Sequence, residues 1–90
     1  RRVVVTPGMV ELGDQQAIEN RHFAEKAGSV ADQLLVVART NRRALLDGAA
    51  NVSLPVIVVP SREAAVAWVR QNLGPGDAVL YENDLPDHHP

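Results

Sequence analysis

Four short apolar runs recur along the ninety residues: Val3-Val4-Val5, Leu34-Leu35-Val36-Val37, Val56-Ile57-Val58-Val59 and Ala78-Val79-Leu80-Tyr81. None alternates with polar residues, which marks strands covered on both faces rather than half-solvated ones. The stretches between the runs are long enough for a helix, and strands joined through helices pair in parallel by right-handed crossovers. The spacing predicts β-α-β-α-β-α-β, an α/β fold: a small three-layer, Rossmann-like domain with a mainly parallel sheet, filling residues 1–90 as a single domain.

Local signals place the helices. The first is expected from about Asp14, as N-cap, to Ala27, with Ala17, Asn20, Ala24 and Ala27 on one face and Gly28 ending it. The second follows Arg39-Thr40-Asn41 and ends near Ala49-Ala50-Asn51. The third starts after Ser61, a good N-cap, and carries Ala65, Trp68, Val69 and Leu73 at the spacing of a buried stripe. It stops at Gly74-Pro75-Gly76-Asp77. Residues 82–90 read as a polar tail broken by prolines.

Composition removes several classes of function. Nine Lys and Arg against eleven Asp and Glu give a net charge of −2, without the positive field that holds a nucleic-acid backbone or an anionic membrane. The absence of cysteine removes disulfides, thiolate metal sites and a thiol nucleophile, and suits a cytoplasmic location. The apolar runs are too short to span a bilayer, and the start has neither the length nor the cleavage site of a signal peptide. The expectation is a protein that binds no nucleic acid and no membrane.

In an open parallel sheet, ligands bind beyond the carboxyl ends of the strands. Four clusters qualify: the loop from Thr6 through Gly8, Met9 and Glu11 to Gly13; Arg39-Thr40-Asn41; Pro60-Ser61-Arg62; and Glu82-Asn83-Asp84. The substrate- or nucleotide-facing candidates are therefore Thr6, Gly8, Met9, Glu11, Arg39, Asn41, Glu82, Asn83 and Asp84. The first loop is neither G-x-G-x-x-G nor G-x-x-x-x-G-K-[ST], so it reads either as an anion-binding helix start or as a structural turn. Arg39, with Arg42 and Arg43, reads as a carboxylate or phosphate clamp or as a solvated basic turn. Glu82 and Asp84 read as a site for an ammonium group or a divalent ion, or as an acidic tail. His88-His89 is a weak metal signal, because adjacent histidines diverge, and no metal ligands or catalytic residues are assigned. Neither G-x-S-x-G nor H-E-x-x-H occurs.

The run Val3-Val4-Val5-Thr6-Pro7-Gly8-Met9-Val10-Glu11-Leu12-Gly13, followed by a helix carrying Glu19-Asn20, resembles the opening of the C-terminal domain of Mur ligases. It looks most like the branch that joins D-alanyl-D-alanine to the UDP-N-acetylmuramoyl tripeptide, where a strand enters a G-D-M-x-E-L-G turn. Met9, Glu11, Leu12 and Gly13 match that turn, and Gly76-Asp77-Ala78-Val79-Leu80 matches the lead into the family's last strand. Pro7-Gly8 stands for the family's glycine-aspartate, Asn20 for a frequent histidine, and Glu82-Asn83-Asp84-Leu85 for lysine-glycine-serine-arginine.

The resemblance implies the C-terminal part of a cytoplasmic ligase of cell-wall (peptidoglycan) precursor synthesis, with ATP and Mg2+ as cofactors of the parent enzyme and none for this domain alone. Such a ligase makes an acyl phosphate from a substrate carboxylate, which an incoming amine attacks. The implied partners are the N-terminal and central domains of the parent, a UDP-linked muramoyl-peptide and an amino-acid or dipeptide acceptor. The ninety residues alone are expected to be inactive, and the acidic loop to favour an acceptor with a positive group or one whose carboxylate is read by Arg39 or Arg62. A non-catalytic ligand-binding or regulatory α/β domain is the alternative.

Overall fold

The computed structural model describes residues 1–82. Strands β1 (Arg2–Thr6), β2 (Gln33–Val37), β3 (Val56–Val59) and β4 (Ala78–Tyr81) alternate with helices α1 (Gln16–Ala27), α2 (Arg42–Asn51) and α3 (Arg62–Asn72). All pairings are parallel, and the sheet order is β3-β2-β1-β4. The chain therefore steps outward from β1 through β2 to β3, then crosses back to place β4 on the other side of β1. This is a small Rossmann-like α/β domain.

The strand pleat divides the core. Val4, Leu34 and Val36 pack with Ala24 and Ala27 of α1 and Leu45 and Ala49 of α2 on one face. Val3, Val5, Leu35, Val37 and Val59 pack on the other with Ala65, Trp68, Val69 and Leu73 of α3. Reversing both the direction of travel and the face keeps the hand of every crossover the same. The two helices of the first face sit close because α2 offers Gly48 at the crossing. A Cβ there would lie 2.9 Å from both the Ala24 Cβ and the Arg21 carbonyl carbon, and closer still to the Arg21 carbonyl oxygen.

Three local expectations need correction. Asp14 does not cap α1: it lies in a single 3-10 turn, Gly13–Gln15, and Gln15 precedes the helix without a side-chain capping bond. Ala17 is exposed, because α1 reaches the sheet only from Asn20 onward. Not every strand is covered on both faces either. Two helices share the first face and lie over the centre of the sheet, leaving Leu80 of β4 51% exposed and Val58 of β3 39% exposed. Ser61 does cap α3, its hydroxyl accepting the Ala64 N–H at 3.1 Å. Among the described residues no helix is long and apolar enough to cross a membrane.

Candidate functional site

The strand order puts the reversal of direction between β1 and β4, and a crevice opens beyond the carboxyl ends of adjacent strands at such a point. The β1–α1 loop lies at that end of the sheet, and side-chain amides hold it. Gly8 N–H donates to the Thr6 hydroxyl at 2.9 Å. Asn20 Oδ1 accepts the Met9 N–H at 2.8 Å, while its Nδ2 donates to the Met9 carbonyl at 3.0 Å and the Gln16 carbonyl at 2.8 Å. Asn41 Nδ2 donates to the Pro7 carbonyl at 3.1 Å, and its Oδ1 accepts from Gln16 Nε2 at 2.7 Å. The loop is thus tied to both α1 and the segment after β2, and among the described residues no buried side-chain polar atom lacks a partner.

Gly8 is required by the same arrangement. Its φ is +85°, and a Cβ would fall 2.5 Å from Asn20 Oδ1 and 2.8 Å from the Asn41 amide nitrogen. Only a residue without a side chain lets both amides close on the loop.

This geometry separates the sequence candidates. Thr6 and Asn20 are fully buried and Asn41 is 6% exposed. Thr6, Gly8 and Asn41, expected to face a ligand, are instead spent on holding the loop. Asn20 is the residue that sequence reasoning left out, and its signal was a polar side chain on a face otherwise made of alanines. Met9 is half-buried, both its backbone polar groups taken by Asn20, whereas Val10, Glu11 and Leu12 are exposed at the apex. Glu11 adopts φ 65°, which turns the chain at that apex.

Arg39 lies beyond β2. The preceding Ala38 has φ 68° and donates its N–H to the Val59 carbonyl at 2.8 Å, so the chain leaves the sheet abruptly over the end of β3. Arg39 and Arg42 line a hollow of about 340 Å³ floored by Val58, Val59 and Pro60. Neither has an ion-pair partner among the described residues. Arg43 lines a separate groove of about 410 Å³ between the starts of α1 and α2, with Arg21, Asp14 and Asp47. The N–H of Glu82 bonds the Val5 carbonyl at 2.9 Å, and Glu82 lines a groove with Leu80, Phe23 and Lys26 on the α1 side of the sheet. Asn83, Asp84, His88 and His89 lie outside the described residues.

The residues present do not fit a nucleotide or its metal ion unaided. A phosphate cradle needs several converging backbone N–H groups, and those of Gly8 and Met9 already serve Thr6 and Asn20. Among the described residues no three acidic or histidine side chains are grouped to hold a cation. What the edge does offer is a hydrogen-bonded loop with exposed apolar and acidic side chains, beside the guanidinium groups of Arg39 and Arg42, which have no ion-pair partner among the described residues.

No family model, curated protein or solved structure matches the chain.

Proposed function

We propose that this chain is the C-terminal domain of a cytoplasmic ATP-dependent amide-forming ligase of the Mur type, closing over a nucleotide held by other domains and placing the amine acceptor. The observation that carries the reading is the clamped β1–α1 loop. It fixes the turn that resembles the family's, Met9 to Gly13, at the switch point, yet its inner N–H groups are consumed by the clamp. Such a loop serves to cover and position rather than to cradle phosphate. In this role Met9, Val10 and Leu12 exclude water from the closed crevice, and Glu11 attracts the ammonium form of the acceptor. Arg39 presents a planar pair of donors to the acceptor carboxylate, for which it has no competing partner among the described residues. The acidic residue Glu82 then discriminates little, since it faces the groove beside α1.

The test is kinetic, in the longer polypeptide that carries this chain. It should release phosphate from ATP only with a muramoyl-peptide and an amine acceptor present. Arg39→Ala should raise the Michaelis constant for the acceptor about tenfold or more, with that for ATP within about twofold. Because Arg39 is exposed and has no ion-pair partner among the described residues, the same substitution should change unfolding free energy by less than about 0.5 kcal/mol. Unaltered acceptor kinetics, or a clear loss of stability, would assign Arg39 to the fold instead.

The alternative of a ligand-binding or regulatory domain has one observation in its favour, the groove where Arg21 and Arg43 lie near Asp14 and Asp47 without an ion pair among the described residues. If the longer polypeptide turns over no ATP and small zwitterions bind this chain alone, that reading replaces the ligase.

A further inference from the structure

Helices α1 and α2 both begin at the carboxyl edge of the sheet and run back over the same face, with Gly48 packed against the Arg21 carbonyl. Toward their starts lies the groove of about 410 Å³, within the size range of small-molecule sites. The apolar side chains that line it are those of Ala17 and Ala44. Each side of the groove carries one charge of each sign: Asp14 and Arg21 on the α1 side, Arg43 and Asp47 on the α2 side. Arg43 belongs to the first turn of α2, and Asp14 to the 3-10 turn that leads into α1, so both stand at the end where the helices begin. Asp47 is next to Gly48 and so comes level with Arg21. Although opposite charges share one groove, none of the four has an ion-pair or hydrogen-bond partner among the described residues.

We propose that this groove binds a small zwitterion whose ammonium and carboxylate are separated by a few methylenes. Charge balance selects the class. Two guanidinium groups and two carboxylates sum to zero, so a lone anion drawn to an arginine is repelled by an aspartate, and a lone cation meets the reverse. A zwitterion finds an opposite charge at both ends. Spacing selects the length. Arg43 and Asp47 are four residues apart on one helix, about 6 Å of rise. The charges of an α-amino acid sit on adjacent carbons and span less than that, whereas three methylenes between them span it and lay an apolar body along Ala17 and Ala44. The groove also borders the clamp on the β1–α1 loop. Gln16 and Asn41, bonded to each other at 2.7 Å, both line it, so their side-chain amide signals report its occupancy.

This inference deepens the ligand-binding reading of the groove and stands apart from the ligase reading, in which none of the four charges takes part. It is tested by calorimetry and two-dimensional NMR on the whole chain with 4-aminobutyrate, and with glycine, butyrate and butylamine as controls. The expected result is saturable binding of 4-aminobutyrate, with a dissociation constant of roughly 1–10 mM, that shifts the side-chain amides of Gln16 and Asn41. Each control should bind at least about tenfold more weakly. Arg21→Gln and Asp47→Asn should each weaken binding about tenfold, with thermal midpoints unchanged because neither group is paired among the described residues. No saturable shift at those two amides up to about 50 mM overturns the proposal, and so does any control that binds as tightly as 4-aminobutyrate. A failure of binding here leaves the ligase reading standing, and a parent polypeptide that turns over no ATP leaves this site standing.

Discussion

Single side chains decide how the candidate site is held. Asn20 makes three hydrogen bonds from a fully buried position, two of them to both backbone groups of Met9. Asn20→Ala leaves those groups without partners and should cost about 2–3 kcal/mol in urea unfolding. Asn20→Asp keeps the bond from the Met9 N–H but loses both donations and buries a charge, so it should destabilise at least as much at neutral pH. Equal stability of wild type and Asn20→Ala would show that the clamp is dispensable. A second residue sets an acid limit. In the ninety residues as a chain of their own, the Asp77 carboxylate accepts from the terminal ammonium of Arg1 at 2.7 Å and from the Gly74 N–H at 3.0 Å, which lowers its pKa from 3.8. A folded-state pKa below the unfolded one contributes stability above the unfolded value, and that contribution is lost as pH falls through the lowered folded value. Asp77→Asn should therefore flatten the fall of the urea midpoint below about pH 4, with little change in slope above about pH 5. Acetylating the amino terminus should do so in part, because the Gly74 bond remains.

At the scale of elements, the pairing of α1 with α2 is the contact most exposed to small changes. Gly48→Ala gains helix propensity worth about 1 kcal/mol, yet the added methyl meets the Arg21 carbonyl and the Ala24 methyl. The backbone oxygen cannot turn aside, so net destabilisation of about 1–3 kcal/mol is expected in thermal or urea unfolding. A neutral or stabilising result would show that the helices separate freely. Much of this level was legible beforehand. The third and fourth strands match their apolar runs residue for residue, and Ser61 caps α3 as its residue type suggests. The start of α1 was not legible, because Asp14 looks like a cap locally. The entry to this helix is instead fixed by Gln16, which reaches Asn41, twenty-five residues along the chain.

For the whole molecule, the loop geometry bears on what these ninety residues do alone. Mg-ATP titrated into the isolated chain should show no submicromolar binding by calorimetry, since the inner loop amides are already bonded within the protein. Tight binding would make this a self-sufficient nucleotide domain and overturn the covering role. Sequence by itself determined the α/β class, the alternation of elements and the edge on which candidate residues gather. Those follow from local periodicity and from the rule that strands joined through helices pair in parallel. Only the tertiary structure decided that Thr6, Gly8 and Asn41 turn inward, that Asn20 joins them, and that β4 lies beside β1 with one face bare. The reason is physical: whether a polar side chain meets a ligand or a backbone carbonyl depends on which segments distant in sequence pack against it. The exposure of a strand likewise depends on where two helices come to rest on a sheet four strands wide.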